Sequence, residues 1–400
     1  MAETFLPYGR QVIDDDDIAE VVRVLRSDYL TTGPEVPAFE KAFAAAVGVK
    51  HAISCSNGTA ALHLLAVAAG LGPGTTAIVP TLTFLATANA VRLAGGEVVF
   101  ADVDQRTGCM TAQTLEDAVS RSTGPVGAVF PVHLGGWVCD MPGIRAIAER
   151  IGAAVFEDAC HAIGSRYTEN GCTSAVGACA HSKAATFSLH PVKTIAAGEG
   201  GVVTTNDDAL ASRVALLRSH GMVREPERFM QKEEAFSASG QLNGWYYEMP
   251  EPGFNYRLTD IQAALARSQL SKLDAFVERR AALAGFYRHL LRDLSPAIVP
   301  VPETPGCRPG LHLFQVAIDF LAIGQGRAAL MDRLRAGRVG SQVHYFPVHR
   351  QPYYRARYPG LSLPGADRFY EATLSLPLFA SMTERDVERV VDTLHAAISR

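Results

Sequence analysis

The sequence predicts an α/β protein in which a mixed, mostly parallel sheet forms a large domain and a smaller α+β domain follows. Three observations carry this. Between residue 51 and about residue 205, short and nearly continuous apolar runs alternate with stretches of helical length and period. That is the pattern of strands buried on both faces by crossover helices. After residue 205 the alternation stops. Across all 400 residues, 48% are hydrophobic and 20% charged, a balance that supports a well-buried core and excludes a disordered or fibrous chain.

Taken in order, the elements begin with a helix over 14–30. Asp14 to Asp17 load its start with negative charge, and Ile18, Val21, Val22 and Leu25 form one apolar stripe. Thr31-Thr32-Gly33-Pro34 breaks it, and a second amphipathic helix over 36–47 stops at Gly48. Strands are expected over 51–55, 76–79, 97–100, 126–130 and 153–156, with helices over 59–70, 84–93, 112–119 and 141–150 between them. A helix over 207–219 leads into a polar stretch, 224–251, without clear period; a loop of that length inside a compact domain reads as functional or mobile. One long helix over 259–291 follows, with Leu265, Leu273 and Phe276 on its apolar side, then a proline-rich break over 296–309. Strands over 313–318 and 340–344 and helices over 327–336 and 384–399 complete the chain. Residues 1–270 would hold an N-terminal segment and the large domain, and residues 271–400 the small one.

The charge balance narrows the function. With 37 basic and 41 acidic residues, a net of −4, no basic footprint exists for nucleic acid or an anionic membrane. The longest apolar run, 60–71, is interrupted by His63 and falls short of the roughly 20 residues a membrane span needs. The first residues have neither a basic n-region nor an apolar h-region. The seven cysteines (55, 109, 139, 160, 172, 179 and 307) form no CxxC pair, as in a protein with reduced thiols and no metal. The expectation is a soluble, cytoplasmic protein.

Chemistry concentrates in residues 185–203, where a short strand, a Ser188-Leu189-His190-Pro191 turn, Lys193, a glycine cluster and another strand follow one another. The chain has only six lysines beside 31 arginines. Lys41 lies among charges on an amphipathic helix, Lys232 in the acidic loop, Lys272 near the exposed side of a helix, and Lys50 before a strand. Lys183 and Lys193 flank one strand, and only Lys193 follows it into an apolar, glycine-rich setting. There an amine can be desolvated and made nucleophilic toward an aldehyde; by itself the segment reads equally as a surface lysine in a turn. Asp158 closes the run 153–158 at the strand end where α/β sheets put ligand-binding groups. It is either a partner for a pyridinium nitrogen or a helix N-cap. His161 is either a site residue or a buried, hydrogen-bonded histidine. The turn Ser56-Asn57-Gly58-Thr59 precedes a helix whose first amides suit a phosphate.

In this order and spacing, Lys193, Asp158 and the Gly58-Thr59 turn resemble the pyridoxal-phosphate aminotransferases of fold type I, and within them the nucleotide-sugar (DegT/DnrJ/EryC1/StrS) branch. The resemblance runs through residues 30–34, 56–62, 157–164, 187–201, 218–221, 254–262 and 343–345, nearly the whole chain. Residues 245–249, 351–354 and 375–377 are most similar to the C4-aminotransferases of pseudaminic acid biosynthesis. Those act on UDP-4-keto-6-deoxy-N-acetyl-L-altrosamine with L-glutamate as amino donor.

The resemblance implies pyridoxal 5′-phosphate as cofactor, with Lys193 as the Schiff-base lysine and proton shuttle and Asp158 as the ring-nitrogen partner. It implies Phe84 stacked on the ring, His161 packed beside it, and Gly58, Thr59 and Ser188 around the phosphate. Asn255 would reach the same phosphate from a neighbouring subunit, which requires a homodimer. Tyr8, the Asp28, Tyr29, Leu30 and Thr31 corner, His344 and Tyr345 would meet the UDP-keto-sugar. From the residues alone, Phe84 is equally a core phenylalanine, and Tyr29 and Tyr345 equally core or interface residues. Lys183 departs from an acidic residue usual in the subgroup, Leu189 from a phenylalanine, and 310–314 lacks the aromatic before His312. Another UDP- or dTDP-linked keto-deoxysugar, aminated at C4 or C3, is the alternative substrate. A dehydratase of the same fold has its lysine replaced, so Lys193 argues against it; a non-catalytic regulator is the remaining reading.

Overall fold

The computed structural model describes residues 4–398. Its main sheet has seven strands: β1 (His51–Cys55), β2 (Thr76–Pro80), β3 (Glu97–Ala101), β4 (Val126–Val129), β5 (Ala154–Asp158) and, beyond the hairpin β6 (Arg166–Glu169) and β7 (Cys172–Ala175), β8 (Ala184–Ser188) and β9 (Gly201–Thr205). Their order is β1-β9-β8-β5-β4-β2-β3. All neighbours run parallel except β9, which is antiparallel to both β1 and β8. Ten helices accompany this part: α1 (Asp15–Leu25), α2 (Glu35–Val47), α3 (Gly58–Ala68), α4 (Leu85–Leu93), α5 (Ala112–Arg121), α6 (Met141–Ile151), α7 (Asp208–Arg218), α8 (Lys232–Ala235), α9 (Asp260–Ser271) and α10 (Leu273–Leu290). Beyond them, β10 (Ile298–Pro300) and, after the short β11 (Cys307–Arg308), β12 (Phe314–Ile318) and β13 (Thr373–Leu376) form an antiparallel sheet in the order β10-β12-β13. β11 crosses back to pair with β6. Helices α11 (Arg327–Ala336), α12 (Pro352–Arg357), α13 (Pro364–Ala372) and α14 (Glu384–Ile398) complete it; Ser399, the expected end of the last helix, lies outside the described residues.

The central strands are buried along nearly their whole length, which explains their near-continuous apolar sequence. Helix α3 is buried on almost every side, including His63, so no polar face marks its orientation in the sequence. Asn57 caps it by accepting the Ala60 N–H, and this cap holds the start of the helix where β1 ends.

Six expectations need correction. The first helix stops at Leu25, not residue 30, because the Ser27 hydroxyl takes over the chain end, donating to the Val24 carbonyl and accepting the Tyr29 N–H. Its anticipated apolar stripe is not the buried side: Ile18 and Leu25 are 52% and 55% exposed and Val21 and Val22 only half-buried, while Val24 and Asp17 are fully buried. The reason is its neighbour. Helix α9 presents Ser268 and Gln269, both of which donate to the Asp17 carboxylate at 2.6 Å, so α1 turns its aspartate inward.

The long helix over 259–291 is two helices parted at Lys272, where φ is −101° and ψ 0°. Lys272 pairs with Asp14 and, at 2.9 Å, with Asp17, so it is no exposed lysine. The break lets α9 stay against α1 and α2 while α10 packs on α14. Residues 340–344 form no strand: Gln342 makes a single bridge to Ser375 before the chain bends to bring His344 and Tyr345 to a cavity wall.

The polar stretch 224–251 is folded. Val223, Phe229 and Ala235 make a small core of their own, and the Glu248 carboxylate accepts the N–H groups of Met230 and Gln231, each at 2.7 Å, and the Tyr246 hydroxyl at 3.0 Å. At the N-terminal side, Leu6 pairs with Val339 and Leu378 donates to the Tyr8 carbonyl. The opening segment is thereby fixed between the C-terminal elements and the cavity.

Candidate active site

Three chain segments end on one cavity of about 890 Å³: the β1–α3 turn, the end of β5 and the end of β8 with the turn that follows. Its wall includes Tyr8, Gly58, Thr59, Phe84, Asp158, His161, Ser188, Lys193, His344 and Tyr345, residues spread over more than 330 positions of sequence.

Asp158 is anchored by its backbone, which donates to the Pro131 carbonyl at 2.9 Å and accepts from His133 at 3.1 Å. Its carboxylate is 5% exposed and accepts the Thr87 hydroxyl at 2.7 Å and the Cys160 N–H at 3.2 Å. No helix starts after it, so the N-cap reading falls. Lys193 sits in the turn after β8, its N–H bonded to the His190 carbonyl at 2.8 Å. Burial pulls its ammonium down to about 8, with the charges of Cys160 and Asp158 opposing. About a tenth of this amine is therefore uncharged at pH 7, far more than for an ordinary lysine, and available as a nucleophile. Lys183, by contrast, is held at 3.3 Å by Asp207.

The start of α3 forms a cup. Its first amides lack intrahelical partners, and a β-carbon added at Gly58 would meet Ser188 Cβ at 2.8 Å and its hydroxyl at 3.2 Å. The missing side chain leaves room for an anion against Thr59 and the Ser188 hydroxyl, with the helix N-terminus favouring negative charge. An aldehyde-seeking lysine, a buried carboxylate and a phosphate cup on one wall fit pyridoxal 5′-phosphate.

Phe84, the residue before α4, is 56% exposed with its ring 6.0 Å from that of Tyr345; it is not a core residue. His161 is clamped on both nitrogens: the Gly135 N–H donates to Nδ1 at 3.3 Å, and Nε2 meets the Tyr345 hydroxyl at 3.0 Å. Burial, then the charges of Lys193 and His344, hold its pKa well below the ordinary value. His344 is pulled down to about 3 by burial and Lys193, and its Nδ1 lies 2.8 Å from the Ser375 hydroxyl. Burial thus favours the neutral form of both His161 and His344.

Five expected residues are not part of this wall. Asn255, Asp28, Tyr29, Leu30 and Thr31 are exposed on the surface. The corner sits against the start of α9, where Thr31 bridges to Thr259 and the Asp260 N–H donates to the Leu30 carbonyl at 3.0 Å, while Asn255, a few residues earlier, bridges to Ser219. Other wall residues escaped the sequence reading: His63 on α3 with Nδ1 at 3.3 Å from the Tyr256 hydroxyl, together with Thr83, Cys160, His190 and Gln342. Only His63 left a signal, as the one polar residue in an apolar run. Among the described residues no group of His, Cys, Asp or Glu is arranged to hold a metal ion, and no helix is long and apolar enough to cross a membrane.

This fold and site define a pyridoxal-phosphate-dependent aminotransferase of fold type I acting on sugars. The chain belongs to the DegT/DnrJ/EryC1/StrS aminotransferase family, whose model matches residues 11–395. It is 38% identical over 393 residues to the spore coat polysaccharide biosynthesis protein SpsC of Bacillus subtilis (strain 168), covering 98% of this chain and 96% of that protein. Among solved structures it is similar to Helicobacter pylori PseC, an aminotransferase of pseudoaminic acid biosynthesis, with 26% identity, a TM-score of 0.88, and 99% and 100% of the two chains covered. It is likewise similar to DesI, solved in the presence of its TDP-sugar product, with 30% identity, a TM-score of 0.85, and 100% and 94% covered.

Proposed function

We propose that this enzyme transfers the amino group of L-glutamate to C4 of a UDP-linked 4-keto-6-deoxy-N-acetylhexosamine, forming UDP-4-amino-4,6-dideoxy-N-acetyl-β-L-altrosamine for pseudaminic acid. The observation that carries the substrate is the likeness to PseC over 99% of the chain. When bound, pyridoxal phosphate supplies an electron sink for the carbon that gains or loses a proton. Lys193 would hold its aldehyde and, once released by an incoming amine, take and return that proton as general base and acid. Asp158 would face the ring nitrogen, Phe84 and His161 the ring, and Gly58, Thr59 and Ser188 the phosphate. Tyr8, His344 and Tyr345, at the wall, would meet the sugar nucleotide through ring faces and hydroxyl tips.

Asn255 and the Asp28, Tyr29, Leu30 and Thr31 corner lie off their own cavity, on neighbouring surface. We assign both to the partner's site in a homodimer: Asn255 to the phosphate, the corner to the substrate. We also propose residues 1–270 and 271–400 as the large and small domains.

A second reading has its own support. DesI, seen with a TDP-sugar, is more identical to this chain than PseC is, and it favours a dTDP-linked keto-deoxysugar. The deciding experiment offers the L-altro UDP-keto-sugar, its C5 epimer and a dTDP-keto-sugar, each with glutamate, and measures release of 2-oxoglutarate. Fastest release with the first is expected; preference for the dTDP sugar would replace the first reading with the second.

A further inference from the structure

We infer that Thr87 is a positioning residue for the reaction, its hydroxyl, held in turn by Thr83, fixing the Asp158 carboxylate in the orientation that meets the cofactor's ring nitrogen. The inference rests on the reading of Asp158 just given. It starts from counting protons. An ionised carboxylate only accepts, and a threonine hydroxyl has one proton to give. Thr87 gives its proton to Asp158 Oδ2 at 2.7 Å. The 2.7 Å contact between the Thr83 and Thr87 hydroxyls therefore has one polarity: Thr83 donates and Thr87 accepts. Both side chains are buried, Thr87 completely and Thr83 to 2% exposure, so bulk water does not substitute for either. In a chain polarised in one direction each hydrogen bond reinforces the next.

The geometry of α4 links this chain to the cofactor face. Phe84 precedes the helix and Thr87 is its third residue. The turn that offers the Phe84 ring to the cavity thus also aims Thr87 at the carboxylate. The loop in front of it is clamped, with the Val348 N–H on the Thr81 carbonyl at 2.9 Å and the His349 N–H on the Thr81 hydroxyl at 3.1 Å. The other contacts of the carboxylate are at Cys160, whose N–H donates to Oδ1 at 3.2 Å and whose thiol lies against it. Without Thr87 the carboxylate keeps only that longer bond and a weak thiol contact, and the terminal torsion of an aspartate, broad and two-fold, is otherwise soft. A rotated carboxylate would meet the ring nitrogen poorly and leave it less protonated.

The test loads the full-length protein with pyridoxal phosphate labelled with ¹⁵N in the ring and reads the ring-nitrogen resonance in wild type, Asp158→Asn, Thr87→Val, Thr87→Ser and Thr83→Val. Thr87→Val is expected to move the resonance from the wild-type position toward that of Asp158→Asn, and to lower kcat about tenfold with KM little changed. Thr87→Ser should restore both, and Thr83→Val should shift both in the same direction by less. A wild-type resonance in Thr87→Val overturns the inference, including when its melting temperature falls, since that outcome leaves Thr87 a packing residue. If Thr87→Val does not fold, an unshifted resonance in Thr83→Val overturns it equally. An unmoved resonance in Asp158→Asn instead overturns the assignment of Asp158, a separate failure.

Discussion

Lys193 combines two properties that rarely meet: it opens on a cavity and yet is desolvated enough to lose its proton near pH 8. Because its pKa is lowered, the reactive neutral amine gains as pH rises through about 8, not through the ordinary lysine value. Capture of pyridoxal phosphate by the apoprotein, followed by stopped-flow absorbance, should accelerate with pH and level off above about pH 9; continued acceleration to pH 10.5 would contradict the desolvated amine. Lys193→Arg should abolish both turnover and the absorption band of the bound cofactor; retention of both would redirect attention to Lys183. That Lys193, Asp158, Ser188 and the Gly58-Thr59 turn would meet at one cavity was legible because each stands at or just after the end of a strand. Thr87 was not: its partner Asp158 lies 71 residues away, and a threonine in a helix carries no mark of the carboxylate that folding brings to it.

At the scale of elements, the strands of the main sheet were readable within a residue or two because burial on both faces writes itself as an apolar run, whereas the strand expected over 340–344 is absent. Helix faces were less readable. Periodicity in α1 found the helix but picked the wrong side as its buried one, because it could not say that the polar surface of α9 would draw Asp17 inward. The consequence is testable. Asp17, fully buried, accepts from Ser268, Gln269 and Lys272, so Asp17→Ala takes one acceptor from each and leaves the Gln269 amide only the Val12 carbonyl and the Lys272 ammonium only Asp14. It should cost about 3 kcal/mol in urea unfolding, whereas Asp15→Ala, on the exposed side of the same turn, should stay within about 0.5 kcal/mol. Equal effects would mean that the inward aspartate does not tie α1 to α9. The break at Lys272 was equally hidden, because each half keeps helical periodicity and the ion pairs that hold the junction come from residues 14 and 17.

For the molecule as a whole, the proposed sharing of sites in a homodimer makes an arithmetic prediction. If Asn255 serves the partner's cavity, a dimer of one Lys193→Ala chain and one Asn255→Ala chain has one doubly damaged site and one intact site. Mixing the two inactive variants under exchange conditions should recover about a quarter of wild-type activity; no recovery would place Asn255 with its own chain. The exposed Ile18 and Leu25 suit the same association. A second global consequence follows from the buried imidazoles. His161, His312 and His344 have lowered pKa values, burial being the first cause in each. The unfolded chain binds protons near pH 6.5 that the folded one refuses, so stability is present above that pH and declines below it, by about 1.4 kcal/mol per pH unit for each such histidine. Melting temperature should fall steeply between pH 6 and pH 4; a flat profile there would mean these rings take up protons without unfolding.

The separate core of residues 223–248 has a dynamic consequence. Val223, Phe229 and Ala235 pack with one another apart from the main core, while Met230 and Trp245 stand 78% and 79% exposed. Such a satellite can open without the sheet opening. Its amides should therefore exchange with solvent deuterium through a local event insensitive to low urea, whereas those of β5 and β8 should wait for global unfolding. A partner subunit resting on Trp245 would show itself as slowed exchange here, at protein concentrations that favour the dimer.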